Sequence, residues 1–427
     1  MLLTSIILLV GLLALSLPVA AGIALLAVSL SSLYSAAPLT LAMGEITWSG
    51  NSEVIIVCVP LFILMGEILL RTGITERMYD SMVQWLGWLP GGLMHSNIGA
   101  CALFAATSGS SAATAATIST VALPEMKKYG YNEPLFLGSL AAGGTLGILI
   151  PPSINMIVYG VLTQTSIPKL YLAGFIPGAG LAILFMATIL VCCIAKPSWR
   201  GRSPPSSWRM RIEGLPALVP PLGIFLIVIG SIYAGFATPT ESAALGVMAS
   251  IILAAIKRRL SWLALRQAIE GTMRTTAMIL LIIVAAFFLN FVLSAIGLTK
   301  TVTEFVTTLG WSPLETLIAI VIFYLILGCF MEAMAMMITT VPIITPVIVS
   351  LGYDPIWFGI IMILLVEAAM ITPPVGMNLY VVQGVRDKGS LNDVIIGTSP
   401  FVVSMGVMIA LLIAFPQIAM WLPGFLQ

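Results

Sequence analysis

Charge is what this sequence has least of. Of its 427 residues only 8% are Asp, Glu, Lys or Arg and 59% are hydrophobic, whereas a soluble domain carries about 25% charged residues. No aqueous fold can cover itself with so few polar groups. Histidine is nearly absent: His95 stands alone, which leaves little for a histidine proton relay or a zinc site to work with. The cysteines Cys58, Cys101, Cys192, Cys193 and Cys329 lie in or beside apolar runs, show no metal-ligand or CxxC spacing, and read as small core residues. A net charge of +1 implies no nucleic-acid partner. Residues 1–17 lack the basic n-region of a signal peptide and are expected to form a first membrane helix.

What is present in abundance is long apolar sequence. Segments near 2–16, 18–34, 54–71, 92–107, 111–124, 134–162, 171–195, 214–233, 240–256, 275–296, 314–329, 333–346, 357–384 and 398–421 include several with the roughly 17–25 residues that cross a bilayer. The class is a polytopic α-helical membrane protein. Two basic stretches, Lys196–Arg211 and Lys257–Arg274, flank two apolar segments joined by the short turn Gly235-Phe236-Ala237-Thr238-Pro239, so both belong on one side, the cytoplasm.

An internal repeat organises the chain. Gly130 and Gly352, Pro151 and Pro373, and Pro124 and Pro346 each stand 222 positions apart within similar surroundings. Thr72-Gly73-Ile74-Thr75 pairs with Ile296-Gly297-Leu298-Thr299, Leu86-Gly87-Trp88 with Leu309-Gly310-Trp311, and Pro177 with Pro400. The copies carry opposite charge bias: Arg71, Arg77, Lys127 and Lys128 mark the first, whereas Asp354 stands in the second copy's loop equivalent to the lysines, and Arg386 and Lys388 lie at its far end. The positive-inside rule then puts equivalent loops on opposite sides. Both assignments hold only if 92–124 and 314–346 each enter and leave on one side. Their arms of about 14–16 residues reach only about 21–24 Å.

The expected architecture is therefore all-α, with two inverted-topology repeats, each holding a re-entrant hairpin and a broken helix. The expected divisions are scaffold helices in 1–71, a core half in 72–195 (hairpin 92–124, broken helix 134–162), a cytoplasmic linker in 196–213, scaffold helices in 214–296, and a second core half in 297–427 (hairpin 314–346, broken helix 357–384).

The chemistry gathers at the hairpin tips and the breaks. Hairpin one turns at Thr107-Ser108-Gly109-Ser110-Ser111, and hairpin two near Gly328-Cys329-Phe330-Met331-Glu332. The long helices break around Pro151-Pro152 and Pro373-Pro374, each pair removing two backbone donors. Carbonyls freed inside a bilayer must find partners or line a polar cavity. One Pro-Pro alone is a structural kink; two in register opposite a Ser-Gly-Ser-Ser turn suit a site where half-helix N-termini face an anion and freed carbonyls hold a cation. Gly143 and Gly144 serve either close helix packing or the site.

An unpaired carboxylate at membrane depth costs about 2.5–3.5 kcal/mol, so Glu332 is expected to meet a cation, a solute hydroxyl or the opposite hairpin. Glu367 either bonds a neighbouring hairpin or joins the site. Glu67, Glu241 and Arg71 are expected to snorkel or anchor the scaffold. No Lys or Arg occurs at either tip. An intramembrane serine hydrolase built on Ser108–Ser111 lacks a His or Lys base beside the serines, and an accessory structural subunit would not need polar hairpin tips.

At these residues the sequence resembles the large membrane subunit of the TRAP (tripartite ATP-independent periplasmic) transporters. The stretches that carry the resemblance are Pro60-Leu61-Phe62-Ile63-Leu64-Met65-Gly66-Glu67, Gly73-Ile74-Thr75-Glu76-Arg77, Ser108-Gly109-Ser110-Ser111, Pro124-Glu125-Met126-Lys127-Lys128-Tyr129-Gly130-Tyr131, Ile150-Pro151-Pro152-Ser153 and Thr372-Pro373-Pro374-Val375-Gly376-Met377-Asn378-Leu379. The resemblance implies an elevator-type permease of a bacterial or archaeal inner membrane, importing a small organic acid such as a C4-dicarboxylate or sialic acid. It implies coupling to Na+ at two or more sites, a small four-helix membrane subunit and a periplasmic solute-binding protein.

Carried over, one sodium site comprises Ser108, Ser111, Gly147, Ile150 and Pro152, and a second comprises Gly328, Ala369, Thr372 and Val375. Ser108, Ser110, Ser153, Asn155, Glu332 and Asn378 would meet the solute. Relatives commonly have Asp where Glu332 stands and Gly where Ala369 stands. The rival within transport is proton coupling through Glu332.

Overall fold

The computed structural model describes every residue except Leu2, Leu3, Ile6, Leu9, Val10, Leu13, Ala14, Ser16, Leu309, Asp387, Leu426 and Gln427, and for Phe305 and Thr307 the backbone alone. The expected segment 2–16 and the Leu309 match fall wholly or partly outside those residues. Among the described residues the fold is helical, with no strand. Among the described residues six helices are long and apolar enough to cross a membrane, and up to eight if each of two bent pairs is one span.

The helix order recurs. A helical pair Gly92–Ser108 and Ser111–Tyr129 turns through Gly109, which takes a left-handed φ of 60°. A broken helix follows, Glu133–Leu149 then Ile154–Thr163, bent by 43°. The long helix Ile167–Ala195 closes the series. The second series is Pro313–Gly328 with Ala333–Ser350, Pro355–Ile371 with Met377–Val385, and Leu391–Ala414. Corresponding helices begin between 221 positions apart (Gly92 and Pro313) and 224 apart (Ile167 and Leu391). Around these stand Val19–Tyr34, Cys58–Arg71, Val219–Tyr233, Pro239–Ile256 and Trp262–Ala295.

Local chemistry explains where these helices start. Asn132 Oδ1 accepts from Leu135 N (3.1 Å) with Pro134 in the first turn, and Asp354 Oδ1 accepts from Ile356 N (2.7 Å) and Trp357 N (3.3 Å) with Pro355 at the first position. Capping boxes start Pro239–Ile256 (Thr238 with Glu241) and Pro313–Gly328 (Ser312 with Glu315). Glu241 thus spends its charge on a helix start, while Glu67 pairs with Arg71 one turn on.

The two broken helices run antiparallel. Glu133, at the start of the first, pairs with Arg386 just beyond the end of the second (2.8 Å). Tyr159, near the end of the first, donates its hydroxyl to Pro355 O at the start of the second (2.7 Å). These contacts define two ends of the molecule. The linker packs at the Glu133 end: Asn132 N donates to Trp199 O (3.3 Å) and Arg202 N to Tyr129 O (2.9 Å). Ser206 Oγ and Arg211 Nε both reach Gln84 O at 3.0 Å, fixing the helix Ile74–Leu86 there. Arg71 donates to Gln267 O (3.3 Å), which brings the start of Trp262–Ala295 to the same end. Every Lys and Arg except Lys169 and Lys300 is carried by segments that meet at this end.

This arrangement generates a labelling test in a background without native cysteines. Arg386 is poorly suited to report, because its side chain is only 5% exposed between Glu133 and Asp393; the exposed Lys388 serves instead. Cysteines at Lys127 and Lys388 are expected to react with an impermeant thiol reagent from one side of the membrane, and a cysteine at Asp354 from the other. Labelling of 127 and 354 from the same side would contradict the two-ended arrangement.

Candidate functional site

Both hairpin tips and both breaks reach one cavity of about 240 Å³. The first hairpin is based at the basic end, where Tyr131 Oη accepts from Leu93 N (3.2 Å); the second leads from Ser350 into Asp354 at the other. Their tips nevertheless line the same cavity. Ser111, Ile154, Ala333 and Met377 all line the cavity, and each is the first residue of a helix. Four helix N-termini thus carry partial positive charge toward one space. No Lys, Arg or His lines it; its carboxylates are Glu332 and Glu67, and Glu67 is offset by Arg71.

The first tip lies directly on the first break. A Cβ on Gly147 would stand 2.7 Å from Ser110 O and 2.9 Å from Ser111 N, so only glycine lets the two backbones approach this closely. A Cβ on Gly109 would meet Pro152 O at 3.1 Å. Thr114 Oγ1 shares a hydrogen bond with Ser108 Oγ (2.8 Å) and donates to Ser110 O (2.8 Å). Ser108, Ser111, Gly147 and Pro152 are therefore gathered in one place, with Ile150 in the break beside them. At the second break Gly328 meets Ala369 so closely that a side chain there would overlap the alanine methyl. Thr372 Oγ1 donates to Ala368 O (2.6 Å), and the last turn is loose, with Thr372 N 3.4 Å from Ala369 O. Val375 opens outward and is 40% exposed. Pro151–Pro152 and Pro373–Pro374 are both cis.

Of the residues expected to meet a solute, Ser108, Ser110, Asn155 and Glu332 line the cavity. Ser153 and Asn378 do not: both are fully buried, Ser153 Oγ accepting from Met156 N (3.4 Å) and Asn378 Nδ2 donating to Ser111 Oγ (2.8 Å). Glu332 finds a partner that the sequence reading did not name. Its Oε2 accepts from Ala335 N (3.1 Å), capping the returning arm, as Ser110 Oγ caps the first hairpin's returning arm through Ala113 N (3.4 Å). Glu367 is completely buried, with the backbone of Leu149 at the end of the first half-helix beside it. The wall residues that sequence reasoning missed include Glu67, Thr275 and Met278, and it also missed Thr114. The Gly66-Glu67 end of the apolar motif at 60–67 was the available signal for the wall, and the hydroxyl-rich run after the first tip was the signal for Thr114.

The oxygens gathered at the first tip are hydroxyls and carbonyls, with the buried Asn378 Oδ1 left without a partner. Among the described residues no group of three His, Cys, Asp or Glu side chains converges. Neutral oxygens of this kind suit a hard cation of low charge.

Comparison with known proteins fits this architecture. The family model described as "Tripartite ATP-independent periplasmic transporter, DctM component" matches residues 6–418. The chain is 34% identical over 372 residues to the C4-dicarboxylate TRAP transporter large permease protein DctM of Pseudomonas aeruginosa, covering 87% of this chain and 86% of that one. It is 31% identical over 413 residues to the isethionate TRAP transporter permease protein DctMQ of Oleidesulfovibrio alaskensis, covering 95% of this chain and 64% of that one. Among solved structures, the YdaH transporter of Alcanivorax borkumensis shares the fold, with a TM-score of 0.68 at 14% identity over 94% of this chain and 98% of that one. An all-helical, multi-pass inner-membrane protein, this chain belongs to the DctM-component family of the tripartite ATP-independent periplasmic transporters, a family of transporter permeases and not of enzymes.

Proposed function

We propose that the chain is the permease of a sodium-coupled symporter that imports a small organic acid delivered by a periplasmic binding protein. The observation that carries this reading is the shared cavity, where four helix N-termini and the serines of the first tip converge without a single basic side chain. An organic anion gains there from helix dipoles and from cations held beside it, since no lysine or arginine is within the lining. Ser108, Ser111, Gly147, Ile150 and Pro152 would hold one Na+; Gly328, Ala369, Thr372 and Val375 would hold a second. Bound Na+ supplies the positive charge that an acid needs in this cavity. Ser110, Asn155 and Glu332, which line the cavity, would meet the solute.

The antiparallel broken helices and the recurring helix order support two inverted repeats. In this reading the segments 72–195 and 297–427 move together against the scaffold helices of 1–71 and 214–296. The P. aeruginosa relative is named for C4-dicarboxylates and the O. alaskensis relative for isethionate; both are small anions. The latter extends well beyond the match, which supports a small membrane subunit as a partner of this permease. With that subunit and the binding protein in proteoliposomes, uptake of a C4-dicarboxylate or related acid is expected to require an inward sodium gradient. Robust uptake of free solute by this chain alone would contradict the proposal.

Side-chain changes separate the ion from the solute. Ser111→Ala and Thr372→Ala each remove one oxygen and leave the backbone in place. Each is expected to raise the sodium concentration for half-maximal transport more than the solute requirement at saturating sodium. Glu332→Gln keeps an oxygen able to accept from Ala335 N, so the returning arm stays capped; apparent solute affinity should fall while sodium dependence holds. Transport in sodium-free buffer, driven by a pH gradient and abolished by Glu332→Gln, would instead establish proton coupling.

A further inference from the structure

The sequence places Asn378 among residues that would meet the solute, yet its environment is different. The side chain is fully buried and contributes nothing to the cavity wall. It belongs to the second break, on Met377–Val385, but reaches into the first half of the chain. Nδ2 donates to Ser111 Oγ (2.8 Å) at the first hairpin tip and to Ala141 O (3.1 Å) on the first broken helix. The carbonyl of Ala141 can only accept, so the nitrogen must face it and the orientation of the amide is fixed. The other end of the amide, Oδ1, is then left buried with no hydrogen-bond partner, a state that costs the desolvation of a strong acceptor. Room for the group is reserved by Gly144: a Cβ there would stand 3.1 Å from Nδ2 and 2.6 Å from the Cβ of Ala115. The bare backbone at Gly144 is packing that serves the site.

A buried, orphaned oxygen whose own amide is bonded to Ser111 at the first tip has the chemistry of a missing cation ligand. A solute occupying the cavity does not reach it, because no part of Asn378 is in the lining. A dehydrated monovalent cation among neutral oxygens does not face that barrier. We propose that Asn378 Oδ1 completes the first cation site, so that the second half of the chain supplies a ligand to a site otherwise built from the first. The inference rests on the sodium reading given above. Its consequence is that a cation bound at the first tip also fixes the second break, where Thr372 and Val375 lie a few residues upstream of Asn378. The two breaks are thereby joined through an ion and an amide rather than through the solute alone.

The test uses the purified full-length chain in detergent, with thermal unfolding followed in sodium chloride against equimolar choline chloride. Wild-type protein is expected to be stabilised by sodium. Asn378→Ala should raise the sodium concentration for half-maximal stabilisation by about tenfold or more, the scale of removing a group that supports a metal site. Asn378→Asp should melt lower than wild type in choline, since it buries a charge without a partner, and should recover more than wild type on adding sodium. A purely structural amide predicts that Asn378→Asp loses equally in both salts, and that result would overturn the proposal. A wild-type sodium titration in Asn378→Ala would overturn it as well. Should Asn378→Ala unfold without a cooperative transition, the choline-to-sodium difference in Asn378→Asp still decides. Absence of any sodium-specific stabilisation in the wild type would remove the sodium reading itself, an outcome distinct from an intact wild-type response with an unaffected variant.

Discussion

Backbone polar groups at membrane depth have no water to bond, and the rest of the structure depends on how this chain meets that constraint. Pro151-Pro152 and Pro373-Pro374 interrupt two helices that are otherwise buried in protein. The interruption frees carbonyls that lipid cannot satisfy. Each break is therefore covered by a hairpin whose own tip has the same problem. Gly147 admits the backbone of Ser110 and Ser111, and Gly328 admits Ala369. Both tips and both breaks are thereby brought to one small cavity.

Charge distribution orients this arrangement. Arg386 would be costly in its nearly buried position without Glu133 and Asp393. The pair with Glu133 fastens the start of one broken helix to the end of the other. The same pair gathers the linker, the 127–128 lysines and the Lys388 loop at one end, so the basic residues and the antiparallel helices express a single constraint. At the cavity the logic reverses. Basic side chains are absent from its lining, and helix N-termini supply a weaker, fixed positive potential in their place.

Features set by local sequence were legible before the fold. The Ser-Gly-Ser-Ser turn, the doubled prolines and their spacing of 222 positions pointed to the tips and breaks, because proline and glycine act on the chain within one turn. Helix starts at Asn132 and Asp354 follow from residues adjacent to them. What could not be read was partnership across the fold. Asn378 lies 267 positions from Ser111, and nothing near it distinguishes a residue that meets solute from one that ties two elements together. Glu332 was expected to need a partner at depth; that its partner is the Ala335 amide depends on the backbone angle at the tip. The wall formed by Glu67, Thr275 and Met278 was hidden for a similar reason, since those residues come from helices whose apolar sequence is compatible with many neighbours.

That two hairpins based at opposite ends bring their tips to one cavity is the claim on which the rest turns. It is tested most directly by a distance measured between spin labels at Ser110 and Glu332 in a cysteine-free background. Both residues line one cavity, so the account predicts a separation well below the hydrocarbon thickness of about 30 Å. Hairpins that each crossed the bilayer fully would put their tips at opposite faces, and a separation of about 30 Å or more would contradict the account.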